Sequence, residues 1–156
     1  MLEIQTASAS ETQKIARILA EELSHAPRGR GAQVIALQGE LGAGKTTFVQ
    51  GFVQALGVKE KVKSPTFVLI KIYSLDQKSR SKNPVYKHLV HIDCYRISSP
   101  RDLIHLGLKE ILGDKDAIVL IEWADRIRKI LPRDTFWIRF THGSHAHTRM
   151  IRFSTI

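Results

Sequence analysis

The spacing of apolar positions divides the chain into alternating helical and extended segments. Ile15, Ile18, Leu19 and Leu23 recur at helical intervals. Ser10 and Gln13 read as a capping box ahead of them, so an amphipathic helix is expected over 11–24. The turn-rich PRGRG at 27–31 ends it. VIAL at 34–37 is a short apolar run bounded by glycines, the pattern of a strand buried on both faces. In TTFVQGFVQAL, Phe48, Val49, Phe52, Val53 and Leu56 share one helical face, and Gly57 supplies a stop.

Downstream the period shortens. TFVLIKIYS (66–74) and VYKHLVHID (85–93) are rich in β-branched and aromatic residues and flank the polar, breaker-rich DQKSRSKNP (76–84). With Tyr73 and Tyr86 on either side, they predict a long antiparallel hairpin. One or two short helices are expected over 100–112, a buried strand at AIVLIEW (117–123), and a short helix at DRIRKIL stopped by Pro132. TFWIRF (135–140) and RMIRF (149–153) alternate as a final hairpin. The sum is an α/β fold, a three-layer P-loop NTPase-like domain over 1–156 with a mixed parallel and antiparallel sheet.

The chain has 156 residues, enough to bury a core without disulfides. Its single cysteine, Cys94, rules out an intrachain disulfide and fits a reducing compartment. The N-terminus lacks the basic and apolar regions of a signal peptide, and apolar runs such as IVLI (118–121) are too short to span a bilayer. A cytoplasmic protein with no membrane association is expected. The formal charge of +9 makes polyanions natural neighbours, but no aromatic-interleaved or arginine-rich recognition motif accompanies it.

The chemistry concentrates in QGELGAGKTTF (38–48). Gly39, Gly44, Lys45 and Thr46 match the G-x-x-x-x-G-K-[ST] pattern, placed between a strand and a helix as a phosphate loop requires. Glycines let successive N–H groups close on phosphate oxygens, and the helix N-terminus presents its dipole to the same charge. Glu40, Leu41, Gly42, Ala43, Gly44, Lys45, Thr46 and Thr47 are therefore nucleotide-binding candidates. Lys45 would reach the terminal phosphates, and the Thr46 hydroxyl would ligate magnesium. Magnesium held through phosphates also needs a carboxylate at a strand end. LVHID offers Asp93 and IVLIE offers Glu122; either can hold the metal, and the other can orient the attacking water. In SPTF, Ser64 and Thr66 precede a strand where γ-phosphate-sensing segments lie. His142, His145 and His147, in THGSHAHTR, read as a solvated hairpin loop rather than a metal site, since no cysteine or carboxylate lies nearby.

In this order, GELGAGKTTFVQGF, KSPTF, HIDCYRI, LGLKEIL and IEWADR resemble the TsaE (YjeE) family, over residues 10 to 133. The resemblance implies an ATPase of tRNA threonylcarbamoyladenosine (t6A) synthesis that binds ATP and Mg2+ and works with the TsaB–TsaD pair. In such a protein the ATPase enables turnover of its partners and does not itself transfer the threonylcarbamoyl group; tRNA is met indirectly or through a basic surface. By the resemblance, Thr46 and Glu122 are magnesium ligands, and Asp93, within the pattern of His91, Asp93, Tyr95 and Arg96, is essential for hydrolysis. Ser64–Phe67 becomes a switch-like segment, Trp123 follows the acidic ligand, and Thr12 and Asp125 complete the nucleotide pocket. Glu40 stands where the family usually has aspartate, Cys94 replaces an aliphatic residue, and 75–87 is longer and more basic than expected. A small-molecule P-loop kinase and a non-hydrolysing nucleotide-gated binder remain as alternatives; a GTPase is disfavoured because no NKxD motif occurs.

Overall fold

The computed structural model describes residues 2–62, 69–75 and 86–155. In chain order the elements are β1 (Leu2–Thr6), α1 (Ala9–His25), β2 (Gln33–Gly39), α2 (Lys45–Ala55), β3 (Ile70–Ser74), β4 (His88–Asp93), α3 (Pro100–His105), α4 (Leu108–Gly113), β5 (Ala117–Glu122), a 3-10 segment at Ala124–Ile130, β6 (Phe136–His142) and β7 (Arg149–Thr155). The strands form one seven-stranded sheet in the order β1-β7-β6-β2-β5-β4-β3. β2 runs parallel to both β5 and β6, and β4 parallel to β5. β3, β7 and β1 attach antiparallel at the two ends. This is the mixed α/β architecture expected from the sequence.

Alternation along each central strand feeds two cores. Ile35 and Leu37 of β2, with Ile118 and Leu120 of β5, pack under α1 and α2 against Phe48 and Phe52. Val34 and Ala36, with Val119 and Ile121, face Leu103 of α3, Leu108 of α4 and Ile127. Central strands covered on both sides need apolar residues at every position, which is why VIAL and AIVLI contain no polar side chain. Helices α1 and α2 cross closely at Gly51, where an added Cβ would come within 2.6 Å of the Gln13 carbonyl oxygen.

Several boundaries shift for identifiable reasons. The start of α1 lies at Ala9, before the expected cap at Ser10. Ser8 is the cap: its hydroxyl accepts from the Glu11 N–H at 3.2 Å, and the Glu11 carboxylate accepts from the Ala7 N–H at 2.7 Å. A carboxylate in the first turn also meets the helix dipole favourably, which the amide of Gln13 cannot match. α2 ends as expected: Gly57 adopts φ 84°, with Gly57 N–H to Gln54 O and Val58 N–H to Val53 O closing a Schellman motif. The expected β3–β4 hairpin is present, with Tyr73 opposite Leu89 and both Tyr73 and Tyr86 buried. The SPTF segment with Ser64 and Thr66, and most of the basic 75–87 stretch, lie outside the described residues. β1 was not anticipated; its Leu2-x-Ile4 alternation is brief, and its partner is the chain's far end, Leu2 opposite Phe153. Among the described residues no helix is long and apolar enough to cross a membrane.

Candidate nucleotide site

The loop leaving β2 sits at the carboxyl ends of the parallel strands, where open α/β sheets place their ligands. Gly39 has φ 149° and lies so close to β6 that an added Cβ would collide with the Phe140 carbonyl oxygen. Gly44 caps α2 at φ 102°, with no side chain capping the helix. The first N–H groups of α2 therefore lack both intrahelical and side-chain acceptors. Gly44, Lys45, Thr46 and Thr47 line a cavity of about 280 Å3 at this end of the helix. An uncapped helix start at a cavity wall is an anion site in waiting.

Lys45 is buried, and its ammonium donates to the carbonyls of Gly39 at 2.7 Å and Glu40 at 2.8 Å. Burial lowers its pKa below the ordinary lysine value, opposed by the charges of Glu122, Asp93 and Asp125. Its Nζ lies 3.9 Å from the centroid of the Trp123 ring. Trp123 holds φ 57°, a left-handed conformation that costs a non-glycine residue on the order of 1 kcal/mol or more. That backbone turn follows directly on β5 and lays the indole over Lys45. Tyr95 packs against the indole at 5.0 Å, and the Arg126 guanidinium lies 5.7 Å from it.

The two carboxylates expected at strand ends are neighbours: Asp93 of β4 is in register with Glu122 of β5, which is itself in register with Leu37 of β2. Glu122 is 2% exposed and accepts from the Thr46 hydroxyl at 2.9 Å through one oxygen. Its other oxygen lies 2.9 Å from His91 Nε2. His91 is equally enclosed, and its Nδ1 has no hydrogen-bond partner among the described residues. Asp93 is buried and accepts from the Tyr95 N–H at 2.8 Å, which fixes its rotamer. Cys94, between these elements, is buried, and burial pushes its thiol up to about 12.

The donor set suits magnesium. Thr46 and Glu122 present hard oxygens already in contact, with Asp93 on the adjacent strand and room for phosphate oxygens in the cavity. Among the described residues no cluster of three metal-binding side chains occurs. A magnesium ion that keeps phosphates and waters in its shell needs only one or two protein ligands.

Of the sequence candidates, Thr12, Leu41, Gly42, Gly44, Lys45, Thr46, Thr47, Asp93 and Glu122 line this one cavity, and Trp123 joins them. Thr12 is held there by a 2.9 Å hydroxyl–hydroxyl bond to Thr6. Three candidates stand apart. Ala43 is buried and turns its N–H to the Glu40 carbonyl. Glu40 and Asp125 are exposed and line a separate groove beside Gly39, with Arg139 and His142. Ser8, Ala9, Tyr95, His147 and Arg149 also line the cavity and were not among the sequence candidates. THGSHAHTR is indeed a hairpin loop, between β6 and β7, but it folds back over the phosphate loop. Pairing of β6 beside β2 places it there, and only the sheet order reveals that pairing.

The profile of the family described as "Threonylcarbamoyl adenosine biosynthesis protein TsaE" matches residues 6–151. The tRNA threonylcarbamoyladenosine biosynthesis protein TsaE of Bacillus subtilis is 36% identical over 137 residues, covering 88% of this chain and 75% of that one. The protein of the same name from Haemophilus influenzae is 37% identical over 101 residues, 65% of this chain and 58% of its own length, so the match spans less than two thirds of that relative. The crystal structure of Bacillus subtilis YdiB superposes with a TM-score of 0.71 at 31% identity, covering 99% of this chain and 85% of the other.

Proposed function

The chain belongs to the TsaE family, and from that premise and the geometry we propose that it is a magnesium-dependent ATPase serving t6A modification of tRNA. The observation that carries the ATPase reading is the convergence at the start of α2. Thr46 is bonded to Glu122, Lys45 is buried beside them, and Asp93 stands in register on the next strand.

In this reading the triphosphate lies along the loop, with its β- and γ-phosphates at the Lys45 end. The α2 N–H groups and the Lys45 ammonium bind the phosphates and offset the charge that gathers on them as the γ-phosphoryl group departs. Lys45 needs no large movement: it exchanges its carbonyl contacts for phosphate oxygens, and the Trp123 face keeps it in place. Bound magnesium would supply Lewis-acid neutralisation of the β- and γ-phosphate oxygens, held by Thr46 and Glu122. His91 fixes the carboxylate of Glu122 from behind. Asp93, oriented by the Tyr95 N–H, accepts a hydrogen bond from the attacking water. Water oxygen bonds to the γ-phosphorus, the bond to the β,γ-bridging oxygen breaks, and the products are ADP and phosphate with one proton released. Catalysis is by position and electrostatics, so a partner that completes the open side of the cavity raises the rate.

We propose the TsaB–TsaD pair as that partner and the cytoplasm as the setting. The relatives' names place those proteins in tRNA threonylcarbamoyladenosine biosynthesis, and the sequence resemblance supplies the pair. The test is co-purification with TsaB and TsaD homologues followed by ATPase assay of the mixture. Stimulated hydrolysis supports the proposal. A phosphorylated small molecule would identify a kinase, and nucleotide-dependent association without hydrolysis would identify a gated binder.

A further inference from the structure

We propose that the uncovered face of β6 and β7, together with the 3-10 segment beside it, is a docking surface for the phosphate backbone of helical RNA, contacted by Arg128, Lys129 and Arg139. RNA as the polyanion rests on the role in tRNA modification proposed above. One face of the strands at this end of the sheet is closed: Ile138, Phe140, Ile151 and Phe153 pack under α1 and α2. On the other face the helical cover reaches Trp137 of β6 and stops, since no residue of β7 or β1 joins that core. Side chains alternate along a strand, so Arg139 and Thr141 share the face of Trp137. Their register partners Arg152 and Met150 on β7, and Glu3 and Gln5 on β1, continue it to the sheet edge.

Arg128 marks the border of this face. Its guanidinium lies 4.4 Å from the centroid of the Trp137 ring, beside Arg139, and Lys129 is its exposed neighbour. No ion pair holds Arg128, Lys129 or Arg139 among the described residues, whereas Arg152 is neutralised by Glu3. From Asp125 to Arg139 five cations stand against two carboxylates, Asp125 and Asp134. Asp125 and Glu40 line the groove at the phosphate-loop end of the face, so the uncompensated charge lies toward Arg128 and Lys129.

The character of the face favours RNA over an acidic protein. Protein interfaces centre on aromatic or large apolar anchors. None of the exposed large apolar side chains among the described residues lies on β6, β7 or the 3-10 segment. Leu2 of β1 lines a pocket with Ile15 and Ile18 of α1, on the opposite side of the sheet, and Met150 is partly buried. Without exposed aromatic rings bases have nothing to stack on, so the fit is to the phosphates of a helical stem, bound by charge and without regard to sequence. An arginine resting over an indole keeps its N–H donors for phosphate oxygens.

The test is fluorescence anisotropy of a labelled tRNA transcript titrated with the full chain, over a series of salt concentrations and without nucleotide. Wild type should bind with an affinity that falls steeply as salt rises, and an RNA duplex of unrelated sequence should bind alike. Lys129→Gln/Arg139→Gln should weaken binding about tenfold or more. It should also lower the slope of log affinity against log salt by about two. Lys14→Gln/Arg17→Gln removes the same charge from exposed positions on α1, across the sheet, and should stay within about twofold of wild type. No saturable binding by wild type, a salt-independent affinity, or equal losses in the two double variants overturns the assignment. So does unchanged RNA affinity in Lys129→Gln/Arg139→Gln; if that variant instead loses co-purification with TsaB and TsaD homologues, the face docks an acidic protein. Thermal melts check the fold. Should the double variant not fold, Arg139→Gln alone carries the test, with a slope lowered by about one expected and an unchanged slope overturning the assignment. Because the titration contains no nucleotide, absence of RNA binding leaves the ATPase reading standing, and failure of the ATPase reading leaves the RNA result interpretable.

Discussion

The buried pair of His91 and Glu122 can be tested by a double-mutant cycle. The two side chains are 1% and 2% exposed and meet at 2.9 Å, so neither can turn to bulk water if the other is removed. His91→Leu leaves one Glu122 oxygen with no donor but keeps the Thr46 bond to the other. Losing a hydrogen bond to a charged group costs about 1.5–3 kcal/mol. Glu122→Leu strands the imidazole completely, since Nδ1 already lacks a partner among the described residues. That change costs about 1–3 kcal/mol for the unsatisfied group. The double variant removes both polar groups and leaves apolar side chains between two apolar strands, a replacement that is often neutral or stabilising. The cycle should therefore show a coupling larger than either single loss, at least about 1.5 kcal/mol, with the double variant more stable than either single one. Urea denaturation measures it. Single-variant losses that add to within about 0.5 kcal/mol would refute the claim that His91 acts on Glu122. His91→Gln, which retains a side-chain N–H, should recover part of the loss while His91→Leu does not.

Lys45→Ala should abolish ATP binding as read by calorimetry, while the fold, monitored by circular dichroism, persists. Gly39→Ala forces a Cβ into the Phe140 carbonyl and should lower the melting temperature, with expression as a soluble protein as the first readout. The Cys94 thiol, pushed up to about 12 by burial, should resist thiol reagents at pH 8 until the chain unfolds. Its folded pKa lies above the unfolded value near 9, so its contribution to stability is complete below pH 9 and is lost as the pH rises toward 12; Cys94→Ala should flatten that alkaline decline in a pH-dependent melt.

Most of the central machinery was legible because it is local. A loop of eight residues between a strand and a helix declares itself, and Asp93 and Glu122 were found as polar residues ending apolar runs. Their adjacency follows from β4 pairing with β5, which their matching apolar character permits but does not dictate. What escaped was non-local. β1 depends on a partner at the far end of the chain, and Arg149 reaches the phosphate loop only because β6 pairs with β2. A histidine-rich turn carries no mark of what it will be folded against. Glu40 followed from its place in the loop and Asp125 from the family resemblance, yet the curl of the loop and of the 3-10 segment turns both into the neighbouring groove.

The most direct measurement is ATP turnover by the purified chain with TsaB and TsaD homologues, run beside Glu122→Ala under the same magnesium concentration. The expected result is measurable release of phosphate by the wild type and none by Glu122→Ala. Phosphate release by Glu122→Ala at the wild-type rate would contradict it.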